Sequence, residues 1–156
     1  MKVEDIKNVA VIGFGVMGSG IVQVLAQAGF NVTVRDVSDE LLKRGLELVK
    51  SGPFGLMKSV EKGRIKKEDA EAALARISTT TSITEAAKNA DFVIEAVFED
   101  LELKKSVFKE LDEAAPKHAI LASNTSTMSI TAMASATKRP DKVVGMHFFN
   151  PVPVMK

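Results

Sequence analysis

Gly13, Gly15 and Gly18 stand between a short apolar run, Val9 to Ile12, and a segment whose apolar residues recur at Ile21, Val22, Leu25 and Ala26. In a strand, turn and helix each glycine would serve differently, one making the tight turn, one letting backbone approach a pyrophosphate, and one letting the helix pack against the strand. The phosphates would then meet free N–H groups at the positive end of a helix dipole. Asp36 closes a second apolar run, Phe30 to Val34. It lies at the separation, about 20 residues on, at which an acid accepts hydrogen bonds from an adenosine ribose. Its charge repels a ribose phosphate, so the pattern favours NAD over NADP. Arg35 would attract that phosphate, but successive strand residues point to opposite faces, and the reading follows Asp36.

A second set of polar residues falls later in the chain. Glu99 follows the apolar run ending near Val97, Ser123 to Thr127 (SNTST) follows the next, and His147 to Asn150 follows the last. Histidine exchanges a proton near neutrality, which makes His147 the natural base for a substrate hydroxyl. The serine and threonine cluster either donates hydrogen bonds to a substrate oxygen or forms a capping turn for a helix at Ser129. His118, just past Pro116, is expected at the opposite end of its strand and on the surface. Asn124-Thr125-Ser126 also spells a glycosylation sequon, which is discounted because no export signal precedes it.

The elements that must position these residues alternate between strand and helix. Strands are expected at Val9 to Ile12, Phe30 to Val34, Ile77 to Thr80, Asp91 to Val97, Ala119 to Ala122 and Lys142 to Met146. After a polar lead-in, Met1 to Lys7, and the glycine unit, Ser38 caps a helix carrying Asp39 and Glu40 in its first turn. SGPFG, Ser51 to Gly55, ends that helix, and two further helical pieces follow, to about Glu61 and from Lys67 to Ala75. Lys58, Lys62, Arg64, Lys66 and Lys67 on this insertion either meet an anionic ligand or form a solvated face. Shorter helices are expected at Thr84 to Lys88 and Ser129 to Ala134. Asp100 to Ala115 reads as an amphipathic helix with its stripe at Leu103, Val107, Leu111 and Ala114. The expected fold is therefore α/β, a Rossmann-type, doubly wound and mostly parallel sheet, with a helical-hairpin insertion between strands 2 and 3. Ligands bind such sheets beyond the carboxyl ends of the strands, where strand order reverses, which is where all three polar clusters fall.

The 156 residues match one domain, 1–156, with a core large enough to need no staples. There is no cysteine, so disulfides and thiol nucleophiles are excluded, and no metal is expected. The 21 basic and 20 acidic residues nearly cancel, which removes the electrostatic footprint of a nucleic-acid partner. No stretch reaches the roughly 18 apolar residues of a membrane helix, and a cytoplasmic location is expected.

Five blocks, VAVIGFGVMGSGIVQVLAQAG, Asp36, ADFVIEAVFEDLELKK, ASNTSTMSI and GMHFFNPVPVMK, together resemble the L-3-hydroxyacyl-CoA dehydrogenase family. The resemblance implies oxidation of a 3-hydroxyacyl-CoA to a 3-ketoacyl-CoA with NAD. By position, Gly13, Gly15 and Gly18 would hold the pyrophosphate, Asp36 the adenosine ribose, and Glu99 and Lys104 would face the nicotinamide end. His147 would remove the hydroxyl proton, Ser126 would hold the substrate oxygen, and Asn150 would position the site. Two departures are expected to matter. A glutamate that pairs with the family's histidine lies just beyond the segment matching Lys156, and a C-terminal helical domain that closes over the acyl-CoA and forms the homodimer is absent. The insertion resembles the family's CoA-contacting helical hairpin, although Gly52 to Gly55 interrupt it, and the last sheet strand is expected to be missing, exposing an edge around His147 to Met155. The chain is thus expected to be the cofactor-binding half of an enzyme, weakly active or inactive alone. Two alternatives are an NAD-binding module without catalysis and a dehydrogenase of a free hydroxy acid.

Overall fold

A computed structural model describes residues 2–155. Met1, the first residue of the lead-in, and Lys156, the last of the final matching block, lie outside the described residues. Six strands form one sheet: β1 (Asn8–Ile12), β2 (Asn31–Arg35), β3 (Ile77–Thr80), β4 (Phe92–Glu95), β5 (Ile120–Ser123) and β6 (Val143–Gly145). Their order is β3-β2-β1-β4-β5-β6, and every pairing among the described residues is parallel. The order reverses between β1 and β4, which opens the crevice the sequence anticipates.

Parallel strands need covered faces, and side-chain alternation supplies two cores. Val9 and Val11 of β1, with Val32, Val34 and Ile94, face α1 (Val16–Gln27) and α2 (Asp39–Ser51). Ala10 and Ile12, with Val93 and Leu121, face α5 (Ile83–Ala87), α6 (Leu101–Ala114) and α7 (Ile130–Ala134). Full burial of each large apolar side chain contributes about 1.5–3 kcal/mol, so the sheet is held from both sides. No helix among the described residues is long and apolar enough to cross a membrane.

The insertion between β2 and β3 is three helices, α2, α3 (Leu56–Glu61) and α4 (Lys67–Ala75), of which α3 and α4 make the hairpin. Ser38 caps α2 as expected, accepting from the Leu41 N–H. The awkward Gly52 to Gly55 stretch has a plain function, since Gly52 is the C-cap of α2 and Gly55 the N-cap of α3. Gln23 of α1 ties this corner down by donating to the Phe54 carbonyl at 2.8 Å.

Two expectations are corrected. On α6 the buried stripe is Lys104, Val107, Phe108 and Leu111, while Leu103 is 41% exposed. Lys104 occupies an apolar position because its stem packs there and its ammonium finds a buried partner. On that side the sheet ends at β6, and His147 to Met155 forms no strand. Pro151 and Pro153 have no N–H for a ladder, and the terminal segment instead folds onto α1, burying Val152 against Gly20. A Cβ on Gly20 would come 2.8 Å from the Val152 Cβ, so the missing side chain is what admits the segment.

Candidate functional site

The glycine turn joins β1 to α1. Gly13 has φ +101°, a conformation open to glycine, and its N–H donates to the Arg35 carbonyl at 2.8 Å. A Cβ at Gly18 would lie 1.9 Å from the Gly13 carbonyl oxygen, so only glycine lets helix and turn meet. Gly15 is the N-cap of α1, has no side-chain cap, and would present a Cβ to open space. The first-turn N–H groups of α1 therefore have no internal acceptor and point outward as an anion cradle.

Asp36 sits immediately past β2, and its carboxylate accepts from the Phe14 N–H at 2.7 Å and from the Val37 N–H at 2.6 Å. Phe14, 2% exposed, lies against Gly45 of α2, which holds the turn in register with the acid. Arg35 turns away and donates through Nε to the Thr81 carbonyl at 3.1 Å. Asp36 therefore lies at the glycine turn, and Arg35 is held away from it.

The three polar clusters meet at the carboxyl end of β4, β5 and β6. Glu99 Oε2 accepts from Thr125 Oγ1 at 2.8 Å, joining the first cluster to the second. Asn124 Oδ1 accepts from the Phe148 N–H at 2.8 Å, and the Met146 N–H donates to the Ser123 carbonyl at 2.8 Å, joining the second to the third. Ser126, His147 and Asn150 are exposed, and none makes a side-chain hydrogen bond among the described residues. His147 stacks at a tilt on Phe149, with ring centroids 4.9 Å apart. The serine loop also serves as a cap, since Ser129 Oγ accepts from the Ala132 N–H. His118 is at the far end, as expected, 3.0 Å from Asp91.

Lys104 comes to the same end of the sheet but is enclosed, 1% exposed, with its ammonium 2.7 Å from Glu95 Oε1 and 3.9 Å from Glu99 Oε2. Sequence reading did not single out Glu95. Its signal was available: an acid inside the apolar run FVIEAV requires a buried partner, and Lys104 is the cation on the facing helix.

A glycine turn feeding an uncapped helix, with an acid fixed beside it at the switch point of a parallel sheet, defines a dinucleotide-binding α/β domain. Residues 8–156 match the family described as 3-hydroxyacyl-CoA dehydrogenase, NAD binding domain, and the chain belongs to that family. It is 49% identical over 149 residues to the 3-hydroxybutyryl-CoA dehydrogenase of Clostridioides difficile, covering 96% of this chain and 52% of that protein. It is 46% identical over 152 residues to a probable 3-hydroxybutyryl-CoA dehydrogenase of Bacillus subtilis, covering 97% and 52%. The crystal structure of 3-hydroxybutyryl-CoA dehydrogenase from Escherichia coli K12 superposes with a TM-score of 0.92 at 43% identity, over 97% of this chain and 31% of that one. The chain thus spans about half the length of the two bacterial relatives, 52% of each. The cofactor is NAD, and the open cradle at Gly15 with Asp36 beside it fits that group.

Proposed function

We propose that this chain is the cofactor-binding half of an NAD-dependent L-3-hydroxyacyl-CoA dehydrogenase, interconverting a 3-hydroxyacyl-CoA and a 3-ketoacyl-CoA. The observation that carries the reading is the junction of Asn124 with the Phe148 backbone, which sets the serine loop beside the histidine loop at the cofactor end of the sheet. NAD, when bound, supplies the hydride acceptor. The chain's residues supply geometry and proton management. Gly13, Gly15 and Gly18 hold the pyrophosphate, Asp36 the ribose, and Glu99 with Lys104 borders the nicotinamide end. Ser126 donates a hydrogen bond to the substrate oxygen, His147 takes the hydroxyl proton, and Asn150 orients the substrate beside them.

The anionic end of CoA finds a cleft of about 330 Å³ between α1, the insertion and the terminal segment, with Lys58, Lys62 and Arg64 on its wall. Lys58 is 2.9 Å from Glu61, whereas Lys62 and Arg64 make no ion pair among the described residues. Their place on that wall is what favours ligand binding for these three residues, while Lys66 and Lys67 are not among the residues that line it. A homodimer formed through a helical domain outside this chain, and a cytoplasmic location, belong to the same proposal.

The test is NADH fluorescence, first on titration and then after adding acetoacetyl-CoA or acetoacetate. Binding is expected with this chain, with little consumption. A protein that also holds the second half is expected to consume NADH with acetoacetyl-CoA and not with acetoacetate. There, His147→Ala is expected to keep NADH affinity and lower turnover by about 10²-fold or more, the range of a positioned base. Turnover with acetoacetate alone would point to a free-acid dehydrogenase. Turnover unaffected by the substitution would remove His147 from its role.

A further inference from the structure

Five residues close a ring beneath the cofactor end of the sheet, through four side chains and both the backbone and the side chain of Thr125. Glu95 Oε1 accepts from Lys104 Nζ and from the Val97 N–H, each at 2.7 Å, and its Oε2 accepts from Ser123 Oγ at 2.6 Å. Ser123 Oγ in turn accepts from the Thr125 N–H at 3.3 Å. Thr125 Oγ1 reaches Glu99 at 2.8 Å, and Glu99 lies 3.9 Å from Lys104, where the ring closes. Lys104 also donates to the Val97 carbonyl at 3.2 Å. Glu95, Lys104 and Ser123 are at most 1% exposed. The ring therefore has an enclosed half and a half that borders the crevice.

Glu95 and Ser123, in the enclosed half, lie behind the crevice wall and hold both loops that border it. Glu95 ends β4, pairs in register with Ile12 and Ser123, and gives its carbonyl to the Asn124 N–H at 2.9 Å. Its carboxylate thereby clamps the Val97 to Glu99 turn on one side and the Ser123 to Ser126 turn on the other. Only a charged carboxylate can satisfy an ammonium, an N–H and a hydroxyl at once while leaving no buried cation unpaired.

We infer that Glu95 is a positioning residue for the nicotinamide end of the site: through Lys104 and Ser123 it sets Glu99 and Ser126 where cofactor and substrate meet, without contacting either. This rests on the dehydrogenase reading above. Its consequence is local. The adenosine end, built from the glycine turn and Asp36, has its own hydrogen bonds and shares none with the ring.

The experiment compares calorimetric affinities for NADH and for ADP-ribose, which lacks the nicotinamide, in the unaltered chain, in Glu95→Gln and in Ser123→Ala, which cuts the link from Glu95 to the serine loop. The Ser123 variant leaves the buried ion pair intact, so it tests the role even where Glu95→Gln fails to fold. NADH is expected to bind the unaltered chain more tightly than ADP-ribose. Each folded variant is expected to lose about tenfold of that preference, the scale of one charge-assisted contact, with ADP-ribose affinity held within about twofold. Equal weakening of both ligands, or an unchanged preference, overturns the inference, as does an unaltered chain with no preference for NADH. If the unaltered chain binds neither ligand, the cofactor reading itself fails and takes this one with it.

Discussion

At Asp36 the carboxylate proposed to accept from the ribose is also the acceptor for the Phe14 and Val37 N–H groups. Replacing it by alanine removes the ribose acceptor and an anchor of the glycine turn together. Hydrogen bonds to a charged group contribute about 1.5–3 kcal/mol, so Asp36→Ala is expected to weaken NADH by roughly ten- to a hundredfold. The repulsion against a ribose phosphate disappears with the charge, so NADPH should lose less, and parallel fluorescence titrations read the ratio. An unchanged NADH to NADPH ratio would take Asp36 out of its discriminating role. Its place beside the glycine turn was legible from spacing alone, because the acid and the glycines are tied by one local strand, turn and helix geometry. The partnership of Glu95 with Lys104 was not, since it joins a strand end to a helix across the core and depends on which face of α6 turns inward. A stripe drawn through Leu103 misplaces that face by one residue, and with it the lysine.

Among the elements, strands and helices announce themselves by periodicity and by their breakers: Lys67–Ala75 is legible to the residue, and Pro116 stops α6 as expected. The terminal segment is harder. Its apolar residues, Phe148 and Val152, suit an edge strand as well as a helix-docked turn, and the two prolines together with the small surface of α1 at Gly20 decide between them. Gly45 of α2 is the same kind of silent contact, in the middle of a helix where glycine has no propensity reason to be. A Cβ there would meet the Phe14 ring at 2.3 Å, at Cγ as well as at Cδ1, so the ring cannot simply swing its tip aside. Gly45→Ala gains about 1 kcal/mol of helix propensity but costs about 1–3 kcal/mol of overpacking, and the clash is expected to win. Because Phe14 carries the N–H bound to Asp36, NADH affinity should fall along with thermal stability. Gain of stability with unchanged NADH affinity would show that the ring relocates freely.

Across the whole molecule, ligand chemistry and a separate structural clasp sit at opposite ends of one sheet. At the far end, Asp91 accepts from the Lys7 and Asn8 N–H groups, each at 2.9 Å, and faces His118 at 3.0 Å, tying the start of β1 to the strands beside it. Burial, the largest single influence, pushes the Asp91 carboxyl up, but the two backbone donors and His118 together outweigh it and hold it below its ordinary 3.8. A carboxyl whose pKa is lowered by folding stabilises the native state fully above the unfolded value. That contribution disappears as pH falls through the lower folded value. Asp91→Asn should therefore lower the melting temperature near pH 7 by about 3–12 °C, taking about 1.5–3 kcal/mol for the charge-assisted bonds and about 2–4 °C per kcal/mol for a chain of this size. The deficit should hold from neutrality down to about pH 5 and shrink below about pH 4, where the unfolded carboxyl takes its proton first, vanishing once the native one is protonated too. NADH affinity at pH 7 should not change, because every contact of Asp91 lies at the amino ends of the strands and the cradle lies at their carboxyl ends. A deficit that persists undiminished into acid would mean the clasp works by shape and not by charge. A parallel loss of NADH affinity would mean that the two ends of the sheet are mechanically coupled.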